Sequence, residues 1–317
     1  MRIFLYFFVL LFGLNISIFP EETNFDPDQF LTQYFWREVI TLSPPKRPKI
    51  FLVLSGGGAR GLAHIGVLKV LEEEGVPIDG IVGTSVGALI GALYCSDIKV
   101  DKIELMAEEI GWSDLTNISV PSVVGLLTTE KLLSTEKMEE YIAKNVGKKQ
   151  FHEMKIPFAC VATDLKTGEK IIFRDGDVAS AARASATIPG VFSPVEYRHR
   201  FLVDGGLVDN IPTDIAKMMG ADFIIAVDIS ADFTKVSPSN ILLVLNQSIS
   251  IQGELLSREA LKLADVIINP KVSDVSIYEL WRARECIDAG IIATRKIIPK
   301  IKKMIMDKTF NWLLKHS

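Results

Sequence analysis

Asp79-Gly-Ile-Val-Gly-Thr-Ser85-Val-Gly-Ala-Leu-Ile-Gly-Ala-Leu-Tyr-Cys95 is the stretch on which the fold turns. A short apolar run ends at Val82, Gly83-Thr84-Ser85-Val86-Gly87 follows, and a second apolar run continues to Cys95. That order reads as strand, sharp turn and buried helix, with a serine at the apex. A G-x-S-x-G turn holds its serine in a strained backbone conformation, so the flanking positions need to lack bulk. The hydroxyl then stands clear of the sheet, and the helix N-terminus behind it offers unpaired N–H groups to a developing anion. Glycine and serine are common, and a tight helix entry alone would explain the pattern. Two further segments point to chemistry.

The first is Ser55-Gly56-Gly57-Gly58-Ala59-Arg60-Gly61, directly after the strand-like Lys49-Ile-Phe-Leu-Val-Leu54. Consecutive glycines expose several backbone N–H groups in one concave turn, an anion cradle. Leu62, Ile65, Leu68 and Leu71 then recur at helical spacing, and Gly75 suits the helix stop. Gly56-x-Gly58-x-x-Gly61 also satisfies the dinucleotide-binding fingerprint. That fingerprint wants an acid near the end of the second strand, and Asp79 stands at the start of it. A dinucleotide-binding protein is therefore the weaker alternative.

The second segment is Phe201-Leu-Val-Asp204-Gly205-Gly206. An aspartate at the tip of an apolar strand, followed by two glycines, can aim its carboxylate across the C-terminal edge of the sheet, where open α/β sheets place ligands. The plainer alternative is a turn-forming aspartate that caps its own backbone. A Ser-Asp-His triad would need an imidazole after the acid. The only histidine beyond Asp204 is His316, next to the chain end; His64, His152 and His199 precede it. The arithmetic favours a serine–aspartate dyad.

The ordered set Gly-Gly-Gly-x-Arg-Gly, Gly-Thr-Ser-x-Gly and Asp-Gly-Gly resembles the patatin-like phospholipases, especially their bacterial neuropathy-target-esterase-like branch. The segment Ala181-Ala-Arg-Ala-Ser-Ala-Thr-Ile-Pro-Gly-Val-Phe-Ser-Pro194 is similar to the one that precedes the aspartate strand in that family. The resemblance implies Ser85 as nucleophile, Asp204 as base, and the Gly56–Gly61 turn with Val86 as oxyanion hole. It implies a serine acyl hydrolase of phospholipids or lysophospholipids; that chemistry requires no cofactor, and no Cys/His cluster has metal-ligand spacing, so no metal is expected. A lipid-binding or scaffolding relative without turnover is the alternative. The chemistry is coherent in itself: a carboxylate of ordinary pKa is a poor base for a serine, and an apolar, glycine-walled cleft would raise its basicity. Arg60 can lend charge to the oxyanion side or fix the loop through backbone carbonyls, and the second is the expectation.

Strand-like runs alternate with helix-like ones from Ile50 onward, among them Phe158–Ala162, Lys170–Phe173, Phe201–Val203 and Phe223–Asp228. This predicts an α/β fold: a largely parallel, patatin-like sheet sandwiched by helices in three layers, with a helical C-terminal extension. The expected organisation is a signal peptide or anchor over 1–20, a lead-in over 21–48, a catalytic domain over 49–230 and a mostly helical region over 231–317. Arg2 and the apolar run Ile3–Leu14 predict export to a periplasm or membrane. Cys95, Cys160 and Cys286 are odd in number, widely spaced and set in apolar surroundings, which predicts buried thiols.

A net charge of −4 gives no sign of nucleic-acid binding. The tail departs from that balance, with seven Lys/Arg against one Asp from Ile291 to Ser317, interleaved with apolar residues. Such a stretch can lie on a membrane surface; Pro299 favours instead a helix docked on the core with a lysine-rich outer face. Transient membrane contact is expected, with Trp112–Leu127 a second candidate for it.

Overall fold

The computed structural model describes residues 27–116, 132–229 and 241–316. The leader expected over 1–20 and most of the Trp112–Leu127 stretch lie outside these residues. The chain divides into two units, Met1–Glu38 and Val39–Ser317. In the first, the described residues belong to helix α1 (Pro27–Thr41). The sequence reading had treated this stretch as an irregular lead-in. Pro27 sits at the first helical position, where its fixed φ helps and its missing N–H costs nothing.

The second unit is built on one sheet. Strands β1 (Ile50–Leu54), β2 (Gly80–Thr84), β3 (Phe158–Asp164), β4 (Lys170–Phe173), β5 (Val195–Tyr197), β6 (Arg200–Asp204), β7 (Phe223–Val227) and β8 (Val266–Ile268) all belong to it. β3, β2, β1, β7 and β8 run parallel in that order, whereas β4, β5 and β6 pair antiparallel. β1, β2 and β7 are buried along their whole length, which is why they read as unbroken apolar runs rather than alternating ones. Phe51 and Val53 of β1 meet Val82, Ile224 and Ile215 in a core under helix α7 (Thr213–Met218). Truncating Phe51 to Ala in such a core would cost roughly 3–5 kcal/mol. On the other face lies helix α3 (Val86–Cys95), completing the three layers. The hairpin of β5 and β6 turns at Arg198 and His199, both with positive φ (47° and 65°), as a two-residue hairpin turn requires.

The register of β3 decides how the site forms. Thr84 of β2 pairs with Val161, while Asp204 of β6 pairs with Ala162. At these positions the opposite edge of β3 is taken by β4, through Val161↔Ile172 and Ala162↔Ile171. β2 and β6 therefore share one edge of β3 and run at each other from opposite directions, so that their C-terminal ends meet. Ser85 and Asp204 are the residues at that meeting point.

Within the C-terminal region, β8 extends the sheet beside β7. The last helix, α9 (Ala283–His316), runs through Pro299 and packs along helix α2 (Ala63–Glu73). The crossing is close: a Cβ at Gly66 would lie 2.0 Å from Ile287 O, and one at Gly290 would lie 2.1 Å from Ala63 O. Ile298, Ile301, Ile305 and Met306 are buried while Lys300 and Lys303 are exposed. The four buried residues of the basic tail are docked on the core, as the docked reading expects, while Ile292 and Leu314 are exposed. The three cysteines are free and buried.

Candidate active site

Ser85 stands between β2 and α3 with φ 55° and ψ −125°. A non-glycine residue held there costs on the order of 1–3 kcal/mol, so the surroundings must enforce it. Its N–H donates to Ser185 Oγ at 3.0 Å, and Ser185 Oγ–H donates to Val161 O at 2.6 Å. Its carbonyl accepts from the N–H of Ala88 (2.8 Å) and Leu89 (3.1 Å). The flanking glycines answer to close approach: a Cβ at Gly83 would sit 2.4 Å from Gly87 O, and one at Gly87 would sit 2.3 Å from Leu54 O. Thr84, the remaining member of the turn, donates through Oγ1 to Asp209 O at 2.9 Å.

Asp204 closes β6. Its Oδ2 accepts from Ser85 Oγ–H at 2.5 Å and its Oδ1 from the Gly206 N–H at 2.8 Å. The backbone is fixed by its own N–H to Thr187 O and by Thr163 Oγ1–H donating to its carbonyl, both at 2.8 Å. Asp204 and Ser85 are both buried. Burial raises the carboxyl to about 6, and the bonds from Ser85 and Gly206 keep it from rising further. The 3-10 turn Gly205–Leu207 carries the chain away from it. The plain reading of Asp204, a cap on its own turn, is thus also true: one oxygen caps Gly206 and the other faces the serine.

The glycine turn crosses above, ending in the 3-10 turn Gly58–Leu62. Not all of its N–H groups are available as oxyanion donors. Gly56 N–H donates to Asn210 O (3.2 Å) and Ala59 N–H to Ile277 O (3.0 Å), so these two are spent on holding the loop. Gly57 and Gly58, with φ of 158° and 57°, have no recorded backbone acceptor among the described residues, and Val86 N–H is in the open first turn of α3. Gly61 lies behind these groups in the 3-10 turn.

Arg60 departs from expectation. It makes no recorded bond to a loop carbonyl; its Nε is buried and without a hydrogen-bond partner among the described residues. Burial lowers its pKa to about 10, against the pull of nearby Asp228, so it remains charged at neutral pH. His64 lies beneath the loop, wholly buried, with Nε2 2.8 Å from Ser55 O. A bond to a carbonyl requires the proton on Nε2. Burial lowers the ring to about 4, so it stays neutral and serves the loop, not Asp204. Asp79, the acid a dinucleotide would have needed, is engaged by Arg47 (2.5 and 3.0 Å) and by the Ile50 N–H (2.7 Å).

The dyad and the glycine turn line an open cleft. Ser85 and Asp204 are on its floor; Gly57, Gly58, Arg60, Ile188, Ile277 and residues of helix α8 (Ile241–Ala260) complete the walls. Ser185, Asn210, Ile277 and α8 are absent from the sequence reading of the site. Ser185 leaves a faint signal, a hydroxyl in an alanine-rich helix. Ile277 and Asn210 act through backbone carbonyls, which leave none. Trp112, in the second membrane candidate, donates through Nε1 to Tyr278 O at 2.8 Å, next to Ile277.

The family profile described as patatin-like phospholipase matches residues 52–217. The human protein called patatin-like phospholipase domain-containing protein 6 is 37% identical over 192 residues, which is 59% of this chain and 14% of that one. An NTE family protein of Mycobacterium tuberculosis is 36% identical over 185 residues, covering 58% of this chain and 49% of its own. A lysophospholipase of Aspergillus fumigatus is 36% identical over 186 residues, 57% of this chain and 12% of its own. The matched region is thus half or less of each relative. The solved structure of human GIVD cytosolic phospholipase A2 superposes with a TM-score of 0.51 at 10% identity, covering 94% of this chain and 67% of that one, a likeness of fold.

Proposed function

The chain belongs to the patatin-like phospholipase family, and from that premise we propose that it hydrolyses carboxylic esters of phospholipids or lysophospholipids through a Ser85–Asp204 dyad and an acyl-enzyme. The observation that carries this reading is the 2.5 Å bond from Ser85 Oγ to Asp204 Oδ2. Asp204 takes the hydroxyl proton as Ser85 Oγ attacks the ester carbonyl carbon. The carbonyl oxygen becomes an oxyanion, stabilised by the N–H groups of Gly57, Gly58 and Val86, with the Arg60 charge nearby. Collapse breaks the ester C–O bond, and the proton held by Asp204 goes to the leaving alkoxide. Water then repeats the sequence: Asp204 takes its proton, the hydroxyl oxygen adds to the acyl carbon, and Ser85 Oγ leaves reprotonated as the fatty acid is released.

A carboxyl near pKa 6 is a far better base than a solvated one, and it is still ionised at neutral pH. The serine proton leaves with the alcohol and a proton from water replaces it, so Ser85 and Asp204 end each cycle as they began without a histidine relay. Contact with a membrane surface belongs to the same reading, since the substrate resides there, as does export through the apolar N-terminal run. The test is labelling by a fluorophosphonate together with a lipid-ester panel read by mass spectrometry. The expected result is one adduct on Ser85 and release of free fatty acid, both lost in Ser85→Ala. Turnover retained by a folded Ser85→Ala protein would defeat the reading.

A further inference from the structure

Helix α8 is amphipathic in the wrong sense for a soluble protein. Gly253 and Ser257 are buried on its inner side, where Ile249, Ser250, Gly253 and Glu254 line the catalytic cleft. Gly253 approaches the Asp204 turn closely enough that a Cβ there would lie 3.1 Å from Gly206 O. Val244, Leu245, Ile251, Leu255 and Leu256 are between 43% and 57% exposed. At about 100° per residue the centre of this exposed set falls roughly 170° from the centre of the cleft-lining set. Ser250, Gly253 and Glu254 thus turn toward the protein with Ile249, while five large aliphatic residues are exposed on the outer side among Ser248, Gln252, Arg258 and Glu259. Ordinary surface helices do the reverse.

We propose that the outer face of α8 is the surface by which the protein seats on a lipid bilayer, with the catalytic cleft directly behind it. Position argues for a lipid occupant: the same helix walls the cleft that receives the ester, so docking this face brings the cleft to the interface. Charge argues likewise. Residues 244–253 contain no Asp, Glu, Lys or Arg, so this part of the helix offers no charge to anionic headgroups. Such a helix lies in the interface plane with its apolar side buried. No described helix is long and apolar enough to cross a membrane. On the lysine-bearing α9, Ile298, Ile301, Ile305 and Met306 are docked on the core, and the exposed Ile292 and Leu314 stand far apart along the helix, so α9 offers no comparable apolar cluster.

The choice of lipid rests on the ester-hydrolase reading, but the test does not require turnover. Wild type and a Leu245→Ser/Leu255→Ser variant are sedimented with phosphatidylcholine vesicles at low and high salt. Neither leucine lines the cleft, so hydrolysis of a soluble short-chain ester and the melting temperature should stay at wild-type values. Wild type should bind at both salt concentrations, and the variant should bind roughly 10- to 100-fold more weakly, the loss expected from removing two half-exposed leucines. Equal binding by both proteins would overturn the proposal. So would wild-type binding that needs anionic lipid and fades in salt, which would return the contact to lysines. A wild-type dimer that ignores vesicles and dissociates in the variant would make a second copy the occupant. A large loss of melting temperature would show that the face is packed within the protein. Vesicle binding by a chain that cleaves no ester would leave this inference standing and defeat the hydrolase reading.

Discussion

The floor and the far wall of the cleft are held in different ways. Ser85 and Asp204 end two strands that converge on one edge of β3, and their separation is set by strand register. The glycine turn opposite hangs from carbonyls of Asn210 and Ile277, and the wall beyond it is α8, all from after the aspartate strand. The floor therefore resists perturbation because moving it means breaking a ladder. The wall depends on contacts between segments distant in sequence. Reagents that act on the floor should remove chemistry and spare the fold, whereas those that act on the turn should disturb both.

The largest effect is expected from Ser85→Ala, which removes the nucleophile from a position where alanine also fits; kcat should fall below detection with an unchanged circular dichroism spectrum. Asp204→Asn should be nearly as damaging, and it tests the floor in a second way. A buried acid whose pKa is raised keeps its proton in the folded protein at a pH where the unfolded chain has lost it. Its contribution to stability is therefore greatest below the unfolded value near 3.8 and is lost as pH rises through about 6. Asp204→Asn should melt above wild type at neutral pH, by up to about 3 kcal/mol in stability, and the advantage should vanish below about pH 4. Thermal melts across that window check it, and an advantage largest in acid would break the assignment.

Gly58→Ala addresses the turn. Gly58 has φ 57°, and a Cβ there would lie 2.6 Å from Ile277 O. Loss of one oxyanion donor typically costs roughly 10²–10³ in turnover. Here kcat should fall by that order with little change in KM, accompanied by a lower melting temperature. A destabilised protein with normal kcat would mean that the turn only packs. Smaller again is the pH dependence: kcat/KM should fall about tenfold per pH unit below about 6, as Asp204 gains its proton, and level off above. The smallest effect is expected from His152→Gln, His199→Gln and His316→Gln, all at exposed positions and each leaving kcat/KM within about twofold of wild type. Loss of activity in any one would put an imidazole back into the mechanism.

The floor was legible in the sequence because strand-end turns demand particular residue types. Gly83, Gly87 and the Asp204-Gly205-Gly206 run are short-range requirements, visible in a few consecutive letters. Ser185 was hidden because a hydroxyl that accepts a remote N–H looks like any helical serine. Asn210 and Ile277 contribute backbone carbonyls, and no residue type announces those. β5 is short and pairs only as the outer half of a hairpin, so its three letters carry little pattern of their own. Arg60 was placed correctly in the loop but given a bond to carbonyls, where the structure leaves its Nε unpartnered. The inversion of α8 is present in its letters as an uncharged aliphatic stretch. Only the burial of Gly253 and Ser257 reveals which side faces inward.

The near-contact of Gly66 with Ile287 O and of Gly290 with Ala63 O bears on when this protein can first act. The helix that leaves the glycine turn is braced by one made more than two hundred residues later, and Ile277, which holds the turn itself, is also a late product. Chains fold from the N-terminus as they are synthesised. A growing chain would carry Ser85 and Asp204 well before the brace exists, so the glycine turn lacks its support until α9 has emerged and packed along α2.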